Sequence, residues 1–121
     1  MSILTTIFDV LSEDHDLTEL VGTRIYPGRA PARVTLPFVK YFRVSNPHIE
    51  TQEGATMAYP RVQFTVWATT ALEAETVALA LKRAVRTIPD AAIIVGGGDT
   101  TDPATDAYGV HLDAEVYTRE V

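Results

Sequence analysis

The sequence predicts an α+β domain: a mostly antiparallel sheet of about four to five strands, with an N-terminal helix and one long helix over residues 71–88 packed on it. Three observations predict it. In Arg61–Ala68, Val62, Phe64, Val66 and Ala68 alternate with Arg61, Gln63, Thr65 and Trp67, the period of two that marks a half-buried strand. Two residues on, Thr70-Ala-Leu-Glu73 has the spacing of a capping box and opens a stripe of Leu72, Val77, Leu81, Ala84, Val85 and Ile88 at helical spacing. Near the C-terminus, Gly109–Arg119 alternates again, with Val110, Leu112, Ala114 and Val116 inward and His111, Asp113, Glu115 and Tyr117 outward.

Composition sets the bounds. The 121 residues suit one domain spanning 1–121 and large enough to bury a core without covalent staples. The absence of cysteine excludes a disulfide framework and any cysteine-based zinc site, and fits a reducing compartment. No run approaches the roughly 18 apolar residues of a membrane span. The opening MSILTTIFDVLSED carries no basic segment of the secretory kind. A net charge of −6 argues against broad contact with nucleic-acid phosphates.

The remaining elements follow in chain order. Ile3, Leu4, Ile7, Phe8 and Leu11 make an amphipathic helix over residues 2–11, with Ser2 as a candidate cap. Ser12–Asp16 reads as a polar break, and Leu17–Val21 as a short helical turn ended by Gly22. Arg24–Tyr26 is a short strand that meets Pro27 and then an arginine-rich loop. Pro37 opens a stronger strand to about Val44, with Phe38, Phe42 and Val44 on one face and Val39, Tyr41 and Arg43 on the other. Apolar residues on both faces suit a central strand or a subunit contact. Asn46–Pro60 is long for a hairpin connection. Pro89 stops the long helix, Ala92–Val95 is a brief strand, and Gly96–Tyr108 reads as an acidic, threonine-rich loop.

No candidate catalytic set emerges. Gly96-Gly-Gly98-Asp99 lacks the lysine of a phosphate loop and leads into no helix, so it reads as a turn. His15, His48 and His111 show no metal-ligand spacing. Asp99, Asp102 and Asp106 lack the glycine and terminal glutamate of a calcium loop. Lys82, Arg83 and Arg86 complement the helix dipole at its C-terminal half; a salt bridge between subunits is the functional alternative. Trp67, Tyr41 and Tyr117 fall on the parity away from the core, where aromatic residues either pack under a second helix or lie at an interface.

Three stretches taken together carry a resemblance. Gly22-Thr-Arg-Ile-Tyr-Pro27, Leu36-Pro-Phe-Val-Lys-Tyr41 and Arg61-Val-Gln-Phe-Thr-Val-Trp67 followed by Glu73-Ala74 resemble, in order and layout, the tail-completion family of siphophages. The resemblance covers nearly the whole chain and implies a tail terminator, also called a tail-to-head joining protein. Such proteins occur in phages, defective prophages and gene-transfer agents. They form a homo-hexameric ring on the major tail (tube) protein, stop its polymerisation and present a surface to the head-completion (stopper) protein.

On that resemblance the protein is no enzyme, takes no cofactor or metal, contacts no membrane, and lets DNA pass without specific binding. It is assembled in the bacterial cytoplasm and resides in the virion, at the tail neck. Candidate subunit or partner contacts are Arg29, Arg33, Tyr41, His48, Glu50, Glu53, Met57, Trp67, Arg83 and Arg86; the candidate acidic lining of the lumen is Asp99, Asp102 and Asp106. The alternative reading is a small, dimeric α+β binding or regulatory module that uses an exposed aromatic sheet face around Tyr41 and Trp67.

Overall fold

A computed structural model describes residues 3–45, 48–50, 56–58, 60–88, 92–116 and 118–120. Its helices are α1 (Ile3–Glu13), α2 (His15–Val21) and α3 (Ala71–Val85). Its strands are β1 (Ile25–Pro27), β2 (Phe38–Ser45), β3 (His48–Glu50), β4 (Thr56–Ala58), β5 (Arg61–Ala68), β6 (Ala92–Asp102), β7 (Ala107–Val116) and β8 (Thr118–Glu120). Five strands form a mixed sheet in the order β1-β2-β5-β7-β6, in which only the β1/β2 pair is parallel. The short strands β3, β4 and β8 form a second, antiparallel sheet.

The helices share one face of the large sheet. Val62, Phe64, Val66 and Ala68 of β5 and Leu112, Ala114 and Val116 of β7 are buried there against Val77, Leu81, Ala84 and Val85 of α3. Ile7 and Leu11 of α1 and Leu17 and Val21 of α2 complete the core. The expected polar break between the first two helices narrows to Asp14, whose Oδ1 accepts from the Leu17 N–H at 2.9 Å and so caps α2. Gly22 ends α2 with φ +60°, its N–H donating to the Thr18 carbonyl.

The capping box is formed. Thr70 Oγ1 accepts from the Glu73 N–H, and Glu73 Oε1 accepts from the N–H of Thr69, one residue before the cap. α3 stops at Val85, short of the expected residue 88, and a turn then returns Ile88 to the core. Leu72 corrects the expected stripe: it is 75% exposed, while the small Ala74, Ala78 and Ala80 are buried instead. Small side chains at those positions let the helix lie close to its neighbours.

Tyr41 is the second correction. It pairs with Phe64 across β2 and β5, so it shares the inward face with Val39 and is fully buried. Its ring centroid lies 5.5 Å from that of Phe64, and its hydroxyl donates to the Leu4 carbonyl at 2.8 Å. A tyrosine can occupy the core here because α1 supplies an acceptor for its one polar atom. Phe42 and Val44 are correspondingly exposed.

The glycine-rich segment is not a loop. β6 runs straight through Gly96–Gly98 to Asp102, with a register shift between Ile94 and Gly96 that leaves Val95 as the extra residue of a bulge. A Cβ on Gly97 would lie 2.8 Å from the His111 carbonyl oxygen, and one on Gly98 would lie 3.1 Å from His111 Nε2. The missing side chains therefore let the edge strand press against β7, in place of the turn that composition suggested. The stretch 46–60 likewise carries β3 and β4 rather than a plain loop, and the last strand is divided into β7 and β8. Tyr117 lies outside the described residues.

Candidate functional site

Among the described residues the outward face of the large sheet carries no helix, and residues 28–37 fold across part of it. Gly28, at φ +87°, turns the chain out of β1 and its N–H donates to the Tyr41 carbonyl at 2.6 Å. At the other end of the loop, Arg24 Nε donates to the Pro37 carbonyl at 2.9 Å. Both ends are thus tied to the sheet. Between the loop and the sheet lies a groove of about 330 Å3 lined by Arg29, Leu36, Phe38, Lys40, Trp67 and Asp102, among others. Tyr26 meets Phe38 edge-on beside it, with ring centroids 6.0 Å apart.

Trp67 is half-buried in this groove, and the strand register explains how. Phe38, Trp67, Gly109 and Thr100 stand side by side on neighbouring strands. A Cβ on Gly109 would lie 2.8 Å from Trp67 Cζ3 and 2.9 Å from Thr100 Cγ2. Only glycine at position 109 leaves room for the indole to lie over β7. A lone glycine opening a strand pattern was the sequence signal for this approach. Lys40 and Phe38, which share the groove, carried no such signal.

The proposed contact residues are dispersed. Arg29 and Arg33 are exposed on the 28–37 loop. Arg83 and Arg86 are exposed on α3, with Arg83 facing Asp16 and Glu19 of α2 across a shallow hollow. His48 and Glu50 lie in β3, and Met57 in β4, while Glu53 lies outside the described residues. Tyr41 is in the core and presents no surface.

The three aspartates expected to share one acidic lining do not share a face. Asp99 pairs with Val110 and Asp102 with Ala107, and residues three apart on a strand point to opposite sides. Asp99 faces the helix side, in a cleft of about 420 Å3 with Glu75, Leu79, Lys82 and Tyr108. Asp102 faces the groove side and organises the β6–β7 turn, accepting from the Ala104 N–H and the Thr105 hydroxyl, each at 3.0 Å. Asp106 sits in that turn at φ +59°, a conformation aspartate tolerates better than most side chains.

Two tyrosine hydroxyls are held in the neutral form. Burial, with a smaller contribution from Asp9, pushes the Tyr41 hydroxyl far above its ordinary range. Tyr108 donates to Asp99 Oδ2 at 2.9 Å, and that bond to a carboxylate raises its pKa. On the outward face, Arg61 reaches Asp113 Oδ2 at 3.4 Å, while Asp113 Oδ1 and His111 Nδ1 are buried with no hydrogen-bond partner among the described residues. Among the described residues no group of three or more His, Asp or Glu side chains is placed to hold a metal ion, and no helix is long and apolar enough to cross a membrane.

Comparison with known proteins places this geometry. The fold matches a chain in the virion of a native gene transfer agent particle, with a TM-score of 0.77 over 98% of this chain and 96% of that one, at 14% identity. No curated protein matches the sequence. The model of the family described as tail completion protein gp17 matches residues 5–119. With that match running through every helix and strand from α1 to β8, the chain belongs to the tail completion protein gp17 family.

Proposed function

We propose that this protein is a structural component of a phage-like virion, a tail terminator whose copies form a hexameric ring. The ring ends the tail tube, joins it to the head-completion protein and leaves a lumen for DNA. Family membership over residues 5–119 is the observation that carries this reading, and the shared fold with a chain of a gene transfer agent particle supports it. The architecture is compatible with a ring subunit. A closed ring needs two different surfaces on each subunit that fit one another, and the described residues offer a sheet face only partly covered by the 28–37 loop, an open β6 edge and the β3-β4-β8 sheet. Six copies, each of charge −6, carry a formal total of about −36, a field that favours passage of DNA over its retention.

The role is one of contact and shape, with no chemical step. Electron microscopy of purified tail tubes mixed with this protein tests it. Sixfold rings seated on one end of each tube, and tubes that stop lengthening, are the expected result. Tubes that stay bare and continue to grow at saturating protein would overturn it. The alternative of a small, dimeric binding or regulatory module loses Tyr41 from its aromatic face, because Tyr41 is buried.

A further inference from the structure

The formal charge of −6 conceals a division along the chain. Residues 20–49 carry Arg24, Arg29, Arg33, Lys40 and Arg43 and no acidic residue. Residues 92–116 carry Asp99, Asp102, Asp106, Asp113 and Glu115 and neither lysine nor arginine. The first segment contains β1 and β2, and the second is the β6–β7 hairpin. In the sheet order β1-β2-β5-β7-β6 these two units lie at opposite edges, separated by the single strand β5. A formal +5 thus belongs to β1, β2 and the chain around them, including the 28–37 loop that crosses the outward face, and −5 belongs to the β6–β7 hairpin. The edges themselves are four strand spacings apart, about 19 Å.

Both edges also offer unpaired backbone and exposed apolar side chains. Among the described residues β1 pairs only with Val39–Tyr41 and no other strand pairs with that side of β2 from Phe42 onward, where Phe42 and Val44 are exposed. β6 is an edge strand along its whole length, and Ile93 and Val95 are exposed on it. Among the described residues no carboxylate pairs with Arg29, Arg33 or Arg43, all of which are exposed. Asp99 and Asp106 are exposed on the other edge. Asp102 shares the groove with Arg29 and Lys40 of its own chain, and Asp99 shares the helix-side cleft with Lys82.

We infer that the cationic β1–β2 edge of one copy docks against the anionic β6–β7 edge of the next, head to tail. The partner is a second copy of this chain, because each edge supplies what the other lacks in charge, in open backbone and in apolar surface. Such a contact is heterologous, the kind that closes into rings, and opposite potentials steer the encounter and fix its register. The inference rests on the ring reading proposed above and adds which surfaces meet.

Charge reversal with rescue tests it, on the full chain. One variant carries Arg29→Glu, Arg33→Glu and Arg43→Glu; the other carries Asp99→Lys and Asp106→Lys. Circular dichroism and the thermal midpoint establish that each is folded, and solution mass is measured alone and with tube ends at two salt concentrations. The parent is expected to associate, about tenfold less tightly as salt rises from low to several times physiological strength. Each variant alone is expected to associate more weakly than the parent, and an equimolar mixture of the two is expected to recover, because the exposed side chains altered on one variant then meet oppositely charged ones altered on the other. Rings that persist unchanged in both variants, or a mixture that fails to recover, would overturn the docking while leaving the ring reading intact. A parent that forms no ring even on tube ends would overturn both.

Discussion

The indole of Trp67 lies over Gly109 so closely that a single added carbon there would come within 2.8 Å of the ring. Gly109→Val is therefore expected to expel the indole from the groove and to cost about 1–3 kcal/mol through overpacking. Tryptophan emission checks it cleanly, because Trp67 is the chain's one tryptophan. A red shift with a lowered unfolding midpoint is the expected outcome; an unchanged spectrum would place the ring elsewhere.

Phe64 is fully buried between Tyr41 and the helix layer. Phe64→Ala is expected to destabilise the fold by about 3–5 kcal/mol, from lost burial plus the cavity left behind. Denaturant unfolding measures this directly. A near-neutral midpoint would mean that β5 presents its other face to the helices.

Alkaline pH should weaken the protein through Tyr41. Its folded pKa is raised by burial above the unfolded value near 10. Below that unfolded value both states hold the proton and stability is unaffected. Above it the unfolded state loses the proton while the folded state keeps it, so stability falls by up to about 1.4 kcal/mol per pH unit. Tyr41→Phe should flatten this slope above pH 10, at the cost of the hydrogen bond to Leu4 at all pH values. Unfolding midpoints of parent and variant at pH 8 and pH 11 make the comparison.

Thr70→Ala removes the acceptor for the Glu73 N–H at the start of α3. A loss of about 1 kcal/mol is expected. Thr70→Ser, which retains the hydroxyl, should lose much less, and the thermal midpoints of the two variants decide it.

The strand–helix unit was legible in the sequence because its signals are local. Alternation from Val62 to Ala68 and the Thr70/Glu73 spacing each depend on neighbours a few residues away, and β5, the cap and the start of α3 stand where those signals place them, although α3 ends three residues early. The inward set of β7 was legible for the same reason. Tyr41 was not. β2 has apolar residues on both faces, and the choice between them was made by register with β5 and by a carbonyl of α1, 37 residues away in sequence. The acidic segment is illegible for a similar reason: three glycines and scattered threonines resemble a loop, yet pairing with β7 extends them into a strand.

By itself, the sequence determined the α+β class, the pairing of one amphipathic strand with one capped helix, the absence of cysteine chemistry and, through three ordered motifs, the family. Only the tertiary structure decided which aromatic residues are core and which line the groove, and that Asp99 and Asp102 face opposite ways. It also decided that the strands of the basic and acidic segments stand at opposite edges of one sheet. Local periodicity sets which residues can share a face, but long-range strand order sets which faces and edges meet. That order is fixed by burial shared among elements far apart in the chain, which no window of sequence contains.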